Sequence, residues 1–252
     1  MIANYHTHTW RCGHAQGTER EYVERAIEGG LKILGFSDHT PMPFDRGYIS
    51  PYKMALGQME DYVYTVQSLR SEYRADIEIH IGLEVEYYPA YFEELCRFLS
   101  GYEVEYFLMG QHFLGNEIGD SFSADPSGSV SRLTRYREQT LEGLETGKFL
   151  YLAHPDVLFF TGDASVYKRE MRLLCEGAKK LNIPLEINML GIETNRHYPN
   201  PLFWEVAGEV GNEAVIGADA HMPANVVNPE AEAKAREIAR KNRIPVIETL
   251  PL

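Results

Sequence analysis

The sequence predicts an α/β barrel, because three features of the chain agree on that fold class. Short β-type runs alternate with amphipathic helical stretches almost from end to end, which is the pattern of parallel βαβ units. A length of 252 residues suits a barrel built as one domain. No low-complexity tract, long linker or fixed-period repeat divides the chain. We therefore expect residues 1–252 to form a single domain.

Seven runs have the apolar, β-branched character of buried strands. They lie near residues 2–8, 32–38, 77–86, 106–113, 149–154, 184–189 and 214–219. A further run at 244–249 is a candidate eighth strand.

Helical segments fill the intervals between these strands. Thr18, with Glu21 three positions later, forms a capping-box pattern, and Gly29-Gly30 ends that first helix. Apolar and charged positions recur at helical spacing in four further segments, 54–74, 131–146, 165–180 and 229–241.

Nearly every predicted strand finishes in a residue that can bind a metal ion. In chain order these are His6 and His8, Asp38 and His39, Glu84 and Glu86, His112, His154, Glu186 and Asn188, and Asp219 and His221. The carboxyl ends of the strands of a barrel meet at one face. The sequence therefore predicts that these side chains surround one pocket.

The residue types at the strand ends indicate a transition-metal site. His6 and His8 are two apart, so both imidazoles point to one side of a strand, and Asp219 and His221 repeat that spacing. One such pair of residues is by itself weak evidence for a metal site, because a single histidine at a strand end is more often structural. Six histidines with the carboxylates Glu84 and Asp219 favour a polynuclear site. Such donors suit zinc, manganese or iron.

Composition excludes several other classes of protein. A formal charge of −13 repels polyanions, and no basic stripe is present, so nucleic acid is not expected as a partner. The first residues lack a signal-peptide pattern and no apolar run reaches membrane length, so we expect a cytoplasmic protein without a membrane partner. Three unpaired cysteines, Cys12, Cys96 and Cys175, are expected to stay reduced.

Several motifs together resemble the histidinol-phosphatase branch of the polymerase-and-histidinol-phosphatase (PHP) superfamily, and the resemblance covers essentially the whole chain. These motifs are residues 5–9, 11–15, 34–39, 82–86, 153–156 and 217–221. The resemblance implies a distorted (β/α)7 TIM-like barrel of the PHP type. The chain departs from the pattern at Gly110-Gln111-His112, where many members place a serine between the glycine and the histidine.

The same resemblance implies three divalent metal ions, zinc, manganese or iron, and a ligand set for each. The first set is His6, His8, Glu84 and Asp219; the second is Glu84, His112 and His154; the third is His14, His39 and His221. It also implies a phosphate-binding arginine at Arg196, where a guanidinium can form a bidentate clamp.

The function implied by the resemblance is histidinol-phosphatase, which hydrolyses L-histidinol phosphate to L-histidinol and phosphate in histidine biosynthesis. We expect a metal-bridged hydroxide to attack phosphorus, because ions about 3.5 to 4 Å apart activate water and neutralise phosphoryl oxygens. The catalytic residues would be Glu84, Asp219, His221 and Arg196. His197 could also contact the substrate, and Asp156, Asp38 and His221 are candidate general acids.

Other readings of the sequence remain open at this point. The substrate could be another small phosphate monoester, such as a sugar or nucleotide monophosphate. The barrel could instead bind metal without turnover. Exonuclease activity is disfavoured by the negative charge. His80, early in its strand, is expected to be structural, and Glu86 to support the site or merely to fill space. The sequence does not define the oligomeric state.

Overall fold

Seven parallel strands form one sheet in which each strand lies beside its neighbour in the sequence. The computed structural model describes residues 1–119 and 121–252. The strands are β1 (Ala3–Asn4), β2 (Ile33–His39), β3 (Glu78–Val85), β4 (Tyr106–Met109), β5 (Phe149–Leu152), β6 (Leu185–Asn188) and β7 (Ala214–Gly217). This order, with helices in the connections, confirms the (β/α)7 barrel expected from the sequence.

The two ends of the sheet meet through the backbone just beyond β1 and β7. Thr7 forms a parallel bridge with Ala220. The amide of His8 donates to the carbonyl of Ala220 at 2.9 Å, and the amide of Ala220 donates to the carbonyl of His6 at 3.2 Å. The contact therefore closes the barrel at the level of the two histidines.

Eight α-helices lie in the described residues: α1 (Glu19–Glu28), α2 (Met59–Glu72), α3 (Phe92–Leu99), α4 (Val130–Glu145), α5 (Ala164–Lys180), α6 (Met189–Glu193), α7 (Pro201–Val210) and α8 (Pro229–Asn242). The Thr18 capping box at the start of α1 is present as expected. Polar side chains that accept backbone N–H groups also begin α5 and α7, at Asp163 and Asn200. None of the described helices combines the length and the hydropathy that a membrane span requires.

Several expected boundaries were wrong. The helix expected at 54–74 begins at Met59, after a short 3-10 turn at Leu56–Gln58. The fifth and seventh strands end before His154 and Asp219, whose φ angles are 29° and 50°. A left-handed residue cannot continue a strand, so the backbone turns at both predicted ligands. Such conformations in residues other than glycine cluster at functional sites.

Aromatic side chains fill the interior of the barrel beneath the strand ends. Tyr5, Tyr106 and Tyr151 form a buried cluster there with small and aliphatic residues. The hydroxyl of Tyr106 donates to the carbonyl of Tyr5 at 2.7 Å and lies 3.1 Å from that of Phe36. The predicted ligands at the carboxyl ends of the strands therefore lie above a buried, hydrogen-bonded layer of side chains.

The run at 244–249 is not an eighth strand of the barrel. It makes a single parallel bridge, between Val246 and Ala214 at the start of β7. A few residues on, the amide of Leu250 donates to the hydroxyl of Tyr5 at 3.0 Å. The tail therefore packs against the amino-terminal end of the barrel, opposite the predicted site.

Candidate metal centre

The nine predicted metal ligands gather at the carboxyl ends of the strands. Centroids of neighbouring imidazole rings lie 4.1 to 5.7 Å apart along the path from His14 through His221, His8 and His39 to His112, His154 and His6. Glu84 and Asp219 lie within this ring of histidines. Residues more than 200 positions apart in the chain thus share one site, because the parallel strands all point the same way.

Four of these side chains have the spacing of ligands around one ion. Nε2 of His6 lies 3.7 Å from Oε2 of Glu84 and 3.6 Å from Oδ1 of Asp219. Nε2 of His8 lies 3.7 and 3.1 Å from the same two oxygens. Ligands about 2.1 Å from a tetrahedral ion are about 3.4 Å from each other. The four donors therefore fit a single ion.

Three of these atoms lack a hydrogen bond. Nε2 of His6, Nε2 of His8 and Oε2 of Glu84 are buried, and none of their contacts with described residues has hydrogen-bond geometry. This holds although Nδ1 of His39 lies 2.9 Å from that Oε2 and Oδ1 of Asp219 lies 3.1 Å from Nε2 of His8. Leaving a buried polar atom unpaired costs about 1 to 3 kcal/mol. Three such atoms that converge on one point are explained if a cation binds between them, so the residues fit the divalent ions that the donor types favour.

Glu84 also contacts the remaining histidines. Its Oε1 lies 2.8 Å from Nε2 of His154 and 3.7 Å from Nε2 of His112. Its Oε2 lies 2.9 Å from Nδ1 of His39, whose ring is 5.1 Å from that of His14. His14 and His221 approach to 3.1 Å through their Nε2 atoms. Glu84 therefore contacts histidines of all three expected ligand sets, and His39 lies between two of those sets.

The surrounding charges keep both carboxylates ionised. Burial opposes ionisation of Glu84 and Asp219, yet nearby imidazoles hold the pKa of each carboxyl well below its usual range. Burial also opposes protonation of His6, but Glu186, Asp219 and Glu84 hold its pKa well above the usual value. A metal ion must displace that proton, so we expect metal binding to release protons.

Two glycines make room for the carboxylates. A Cβ atom on Gly110 would lie 1.9 Å from Oε1 of Glu84. One on Gly217 would lie equally close, at 1.9 Å, to Oε1 of Glu186. No other residue type leaves that space on the neighbouring strand.

Behind the ligands lies a carboxylate whose role the sequence analysis did not identify. Oε1 of Glu186 lies 2.8 Å from Nδ1 of His6, and Oε2 accepts the backbone N–H of His154 at 3.0 Å. Asn188 donates to Glu186 at 2.9 Å and to Oδ2 of Asp219 at 3.0 Å. The two residues therefore orient three of the predicted ligands. The signal in the sequence that could have indicated this role was their position at the end of the sixth predicted strand.

Two more carboxylates contact ligand histidines from behind. Oδ1 of Asp38 lies 3.4 Å from Nδ1 of His8. Oε1 of Glu86 lies 3.5 Å from Nδ1 of His112 and 2.7 Å from Nζ of Lys53, which also contacts Glu117 at 2.7 Å. Glu86 thus supports the site. No sequence motif marks the buried Lys53.

A cavity of about 780 Å³ opens from this cluster to the surface. Arg196 and His197 line it, as does His221, whereas Asp156 and Asp38 are not among its lining residues. Asp156 is buried and accepts the backbone N–H of Asn200. Of the three candidate general acids, only His221 therefore borders the cavity.

The two predicted substrate contacts differ in their freedom to bind. Arg196 is exposed and forms no ion pair with a described carboxylate; its guanidinium donates to the hydroxyl of Tyr198 at 2.7 Å. His197 is half-buried, stacks on Phe159 with centroids 4.3 Å apart, and lies 2.7 Å from the carbonyl of Val157 through Nε2. Arg196 is the better placed of the two for an anion.

Cys12 and His80 have structural contacts of their own. The thiol of Cys12 is buried and donates to the carbonyl of Thr9, and burial raises its pKa. His80 lies at the start of β3 between Glu78 and Glu105, at 2.9 and 3.2 Å. All three cysteines are free.

Comparison with known proteins gives consistent matches. The family model described as the PHP domain matches residues 4–190. The "Probable histidinol-phosphatase" of Deinococcus radiodurans is 29% identical over 242 residues, covering 89% of this chain and 88% of that protein. The "Histidinol-phosphatase" of Bacillus subtilis is 33% identical over 115 residues, 43% of each chain.

Solved structures share the fold. A histidinol phosphate phosphatase from Lactococcus lactis, complexed with zinc, L-histidinol and phosphate, matches with a TM-score of 0.77 at 18% identity. That match covers 99% of this chain and 96% of the other. A structure from Listeria monocytogenes gives the same TM-score at 22% identity, over 91% of this chain and 99% of that one.

Proposed function

This chain belongs to the PHP domain family, and from that premise we propose that it is a metal-dependent histidinol-phosphatase. The reaction is hydrolysis of L-histidinol phosphate to L-histidinol and phosphate, a step of histidine biosynthesis. The observation that carries the proposal is the cluster of nine ligand-type side chains at the floor of a cavity that Arg196 also lines. The names of the relatives, and the L-histidinol and phosphate bound in the Lactococcus lactis protein, support the choice of substrate.

We propose three divalent ions, zinc, manganese or iron, distributed as the family resemblance implies. His6, His8, Glu84 and Asp219 would hold one ion, and their spacing supports that set. Glu84, His112 and His154 would hold another, and His14, His39 and His221 the third. Bound ions would supply an activated water and neutralise charge on the phosphoryl oxygens.

The residues of the chain prepare the site for such chemistry. Glu186 fixes the ring orientation of His6, and Asn188 holds one oxygen of Asp219 so that the other faces the two histidines. Burial of Glu84 strengthens its interactions with the surrounding histidines, because few water molecules screen them.

Arg196 would bind the phosphate. Its guanidinium borders the cavity and has no carboxylate partner among the described residues, so it can pair with two phosphoryl oxygens. His197 would contact the substrate through ring atoms other than Nε2, because Nε2 already lies at hydrogen-bond distance from the carbonyl of Val157.

We also propose that residues 1–252 act as one domain. The family model ends at residue 190, yet Arg196, Asp219 and His221 follow it. Asp219 contacts His6 and His8 from the first strand region. A site that joins His6 and His8 to Asp219 supports one folding unit that extends well past residue 190.

The direct test is steady-state phosphate release by purified protein loaded with zinc, manganese or iron(II). The panel holds L-histidinol phosphate, a sugar phosphate, a nucleoside monophosphate and p-nitrophenyl phosphate. We expect the highest kcat/KM on L-histidinol phosphate. A higher value on another monoester would replace the proposed substrate, and no release from any ester by metal-filled protein would support a binding-only barrel.

A further inference from the structure

Beyond the metal ligands, the cavity has an aromatic wall of three rings, Tyr52, Phe113 and Phe122. The centroid of Tyr52 lies 6.5 Å from that of His14. Phe113 follows at 6.3 Å from Tyr52, and Phe122 at 5.3 Å from Phe113. The three rings therefore form a continuous row that begins beside the predicted ligand His14.

The first and last rings of the aromatic wall are exposed although they are large and largely apolar. Tyr52 is 52% exposed and Phe122 is 39% exposed. Adjacent exposed apolar groups inside a concave site are typical of ligand contacts. A planar ring that stacked there would bury apolar area on both sides.

The same part of the cavity carries a carboxylate without a counter-charge. Of the cavity-lining carboxylates, Glu84 and Asp219 face imidazoles, and Glu86 contacts Lys53 at 2.7 Å. Asp125 also lines the cavity, and no cationic side chain of the described residues pairs with it. Its negative charge is therefore available to a ligand.

Asp125 is held next to the aromatic wall. Its backbone N–H donates to the carbonyl of Phe122 at 3.0 Å. The guanidinium of Arg132 donates to the carbonyls of both residues. Because one side chain clamps both carbonyls, the carboxylate and the ring of Phe122 keep a fixed relation before a ligand binds.

On this basis, and resting on the function proposed above, we propose that Asp125 and the aromatic wall form the subsite for the cationic part of the substrate. Arg196, together with the ions that the predicted ligands would hold, attracts the phosphate end of the molecule, and Asp125 attracts an ammonium or imidazolium group at the other. Aromatic faces favour cations, and a carboxylate adds a charge-assisted hydrogen bond. Asp125 is then a specificity-determining residue: it selects phosphate monoesters whose alcohol part is cationic.

The test compares two substrates in one variant. Asp125→Asn keeps the shape of an exposed side chain and removes its charge. We expect the ratio of kcat/KM for L-histidinol phosphate to that for p-nitrophenyl phosphate to fall about tenfold. The matched control is Asp76→Asn, the same change on an exposed residue before β3, at the other end of the barrel. That control should leave the ratio unchanged.

Product inhibition gives a second readout that does not depend on turnover of the substrate. L-histidinol should inhibit hydrolysis of p-nitrophenyl phosphate about tenfold less strongly in Asp125→Asn than in the parent protein. Inhibition by inorganic phosphate should change much less, because Arg196 rather than Asp125 would bind the phosphate.

The possible results separate this inference from the proposed function. An unchanged substrate ratio in Asp125→Asn, in an enzyme that prefers L-histidinol phosphate, would overturn the subsite and leave the function intact. A parent protein that hydrolyses p-nitrophenyl phosphate faster than L-histidinol phosphate, and that L-histidinol does not inhibit, would overturn both.

Discussion

Oε1 of Glu186 lies 2.8 Å from Nδ1 of His6, which leaves Nε2 of the same ring facing Glu84 and Asp219. The hydrogen bond assigns the proton of His6 to Nδ1 and so makes Nε2 the electron-pair donor. A carboxylate in this position fixes the tautomer and orientation of a metal-binding histidine. The relationship joins residues 180 positions apart and predicts the effect of removing the charge.

Glu186→Gln should lower metal affinity about 10- to 100-fold. The amide must present its NH2 group either to His6 or to the N–H of His154, and neither can accept in the present arrangement. Competition with a chromophoric chelator measures the affinity. Glu94→Gln, on the exposed face of α3, is the matched control and should match the parent protein. Equal affinities for all three proteins would contradict the role assigned to Glu186.

Arg196→Ala should weaken inhibition by inorganic phosphate about tenfold or more, because a charge-assisted bidentate contact is lost. Arg196→Lys should recover only part of that loss, since an ammonium cannot form the paired contact. The melting temperature should stay within about 1 °C of the parent, because the side chain is exposed. Arg74→Ala, exposed two residues beyond the end of α2, serves as the control. If the inhibition constant for phosphate is unchanged in Arg196→Ala, Arg196 does not bind the phosphate.

Removing metal should destabilise the fold. The unpaired donors of His6, His8 and Glu84 stay buried when no cation neutralises them. Metal at about 100 times its dissociation constant contributes about 2.7 kcal/mol per site to the native state. For a chain of this size the melting temperature should rise by about 5 to 10 °C for each site that is filled. Calorimetry of chelated and reloaded protein measures it, and identical melting temperatures would argue against a preformed site.

One ion-pair group outside the metal centre makes a pH-dependent contribution to the free energy of unfolding. Glu170 on α5 lies 3.0 Å from Nε of Arg137 on α4 and contacts Arg169 at 3.0 Å. Burial opposes its ionisation, but the two guanidinium groups hold its pKa below the usual value. A lowered pKa means that the stabilisation is fully present above about pH 4.3 and is lost as pH falls through the folded-state pKa.

Glu170→Gln should therefore cost about 1 kcal/mol of unfolding free energy at pH 7. Urea titrations of parent and variant at pH 7, 5 and 3.5 measure the difference, which should shrink at the lowest pH. A difference that stays constant over this range would mean that packing, not charge, accounts for the effect.

The gathering of the predicted ligands in one cluster was predictable from sequence because it follows from one rule. Each strand end carries a donor, and parallel strands bring those ends together. His14 lies on a loop and was identified only by the family resemblance. The roles of Glu186 and Lys53 depend on partners in other strands and loops, as in the contacts with His6 and Glu117. No local pattern encodes such contacts.

Element boundaries were less predictable than element order. The left-handed backbone at His154 and Asp219 ends two strands early, and the sequence does not reveal it. Helix α3 has only eight residues, which gives a short periodic signal. Helix α7 was also missed, although Asn200 before Pro201 is a recognisable start signal.

We expect folding to assemble a polynuclear metal site, and anomalous diffraction from crystals of zinc-loaded protein would locate the ions themselves. Anomalous peaks should lie about 2.0 to 2.2 Å from the Nε2 atoms of His6 and His8 and from an oxygen of Asp219. Glu84 should lie between that ion and a neighbouring one. Crystals of zinc-loaded protein with no anomalous signal among these side chains would show that the cluster does not bind metal.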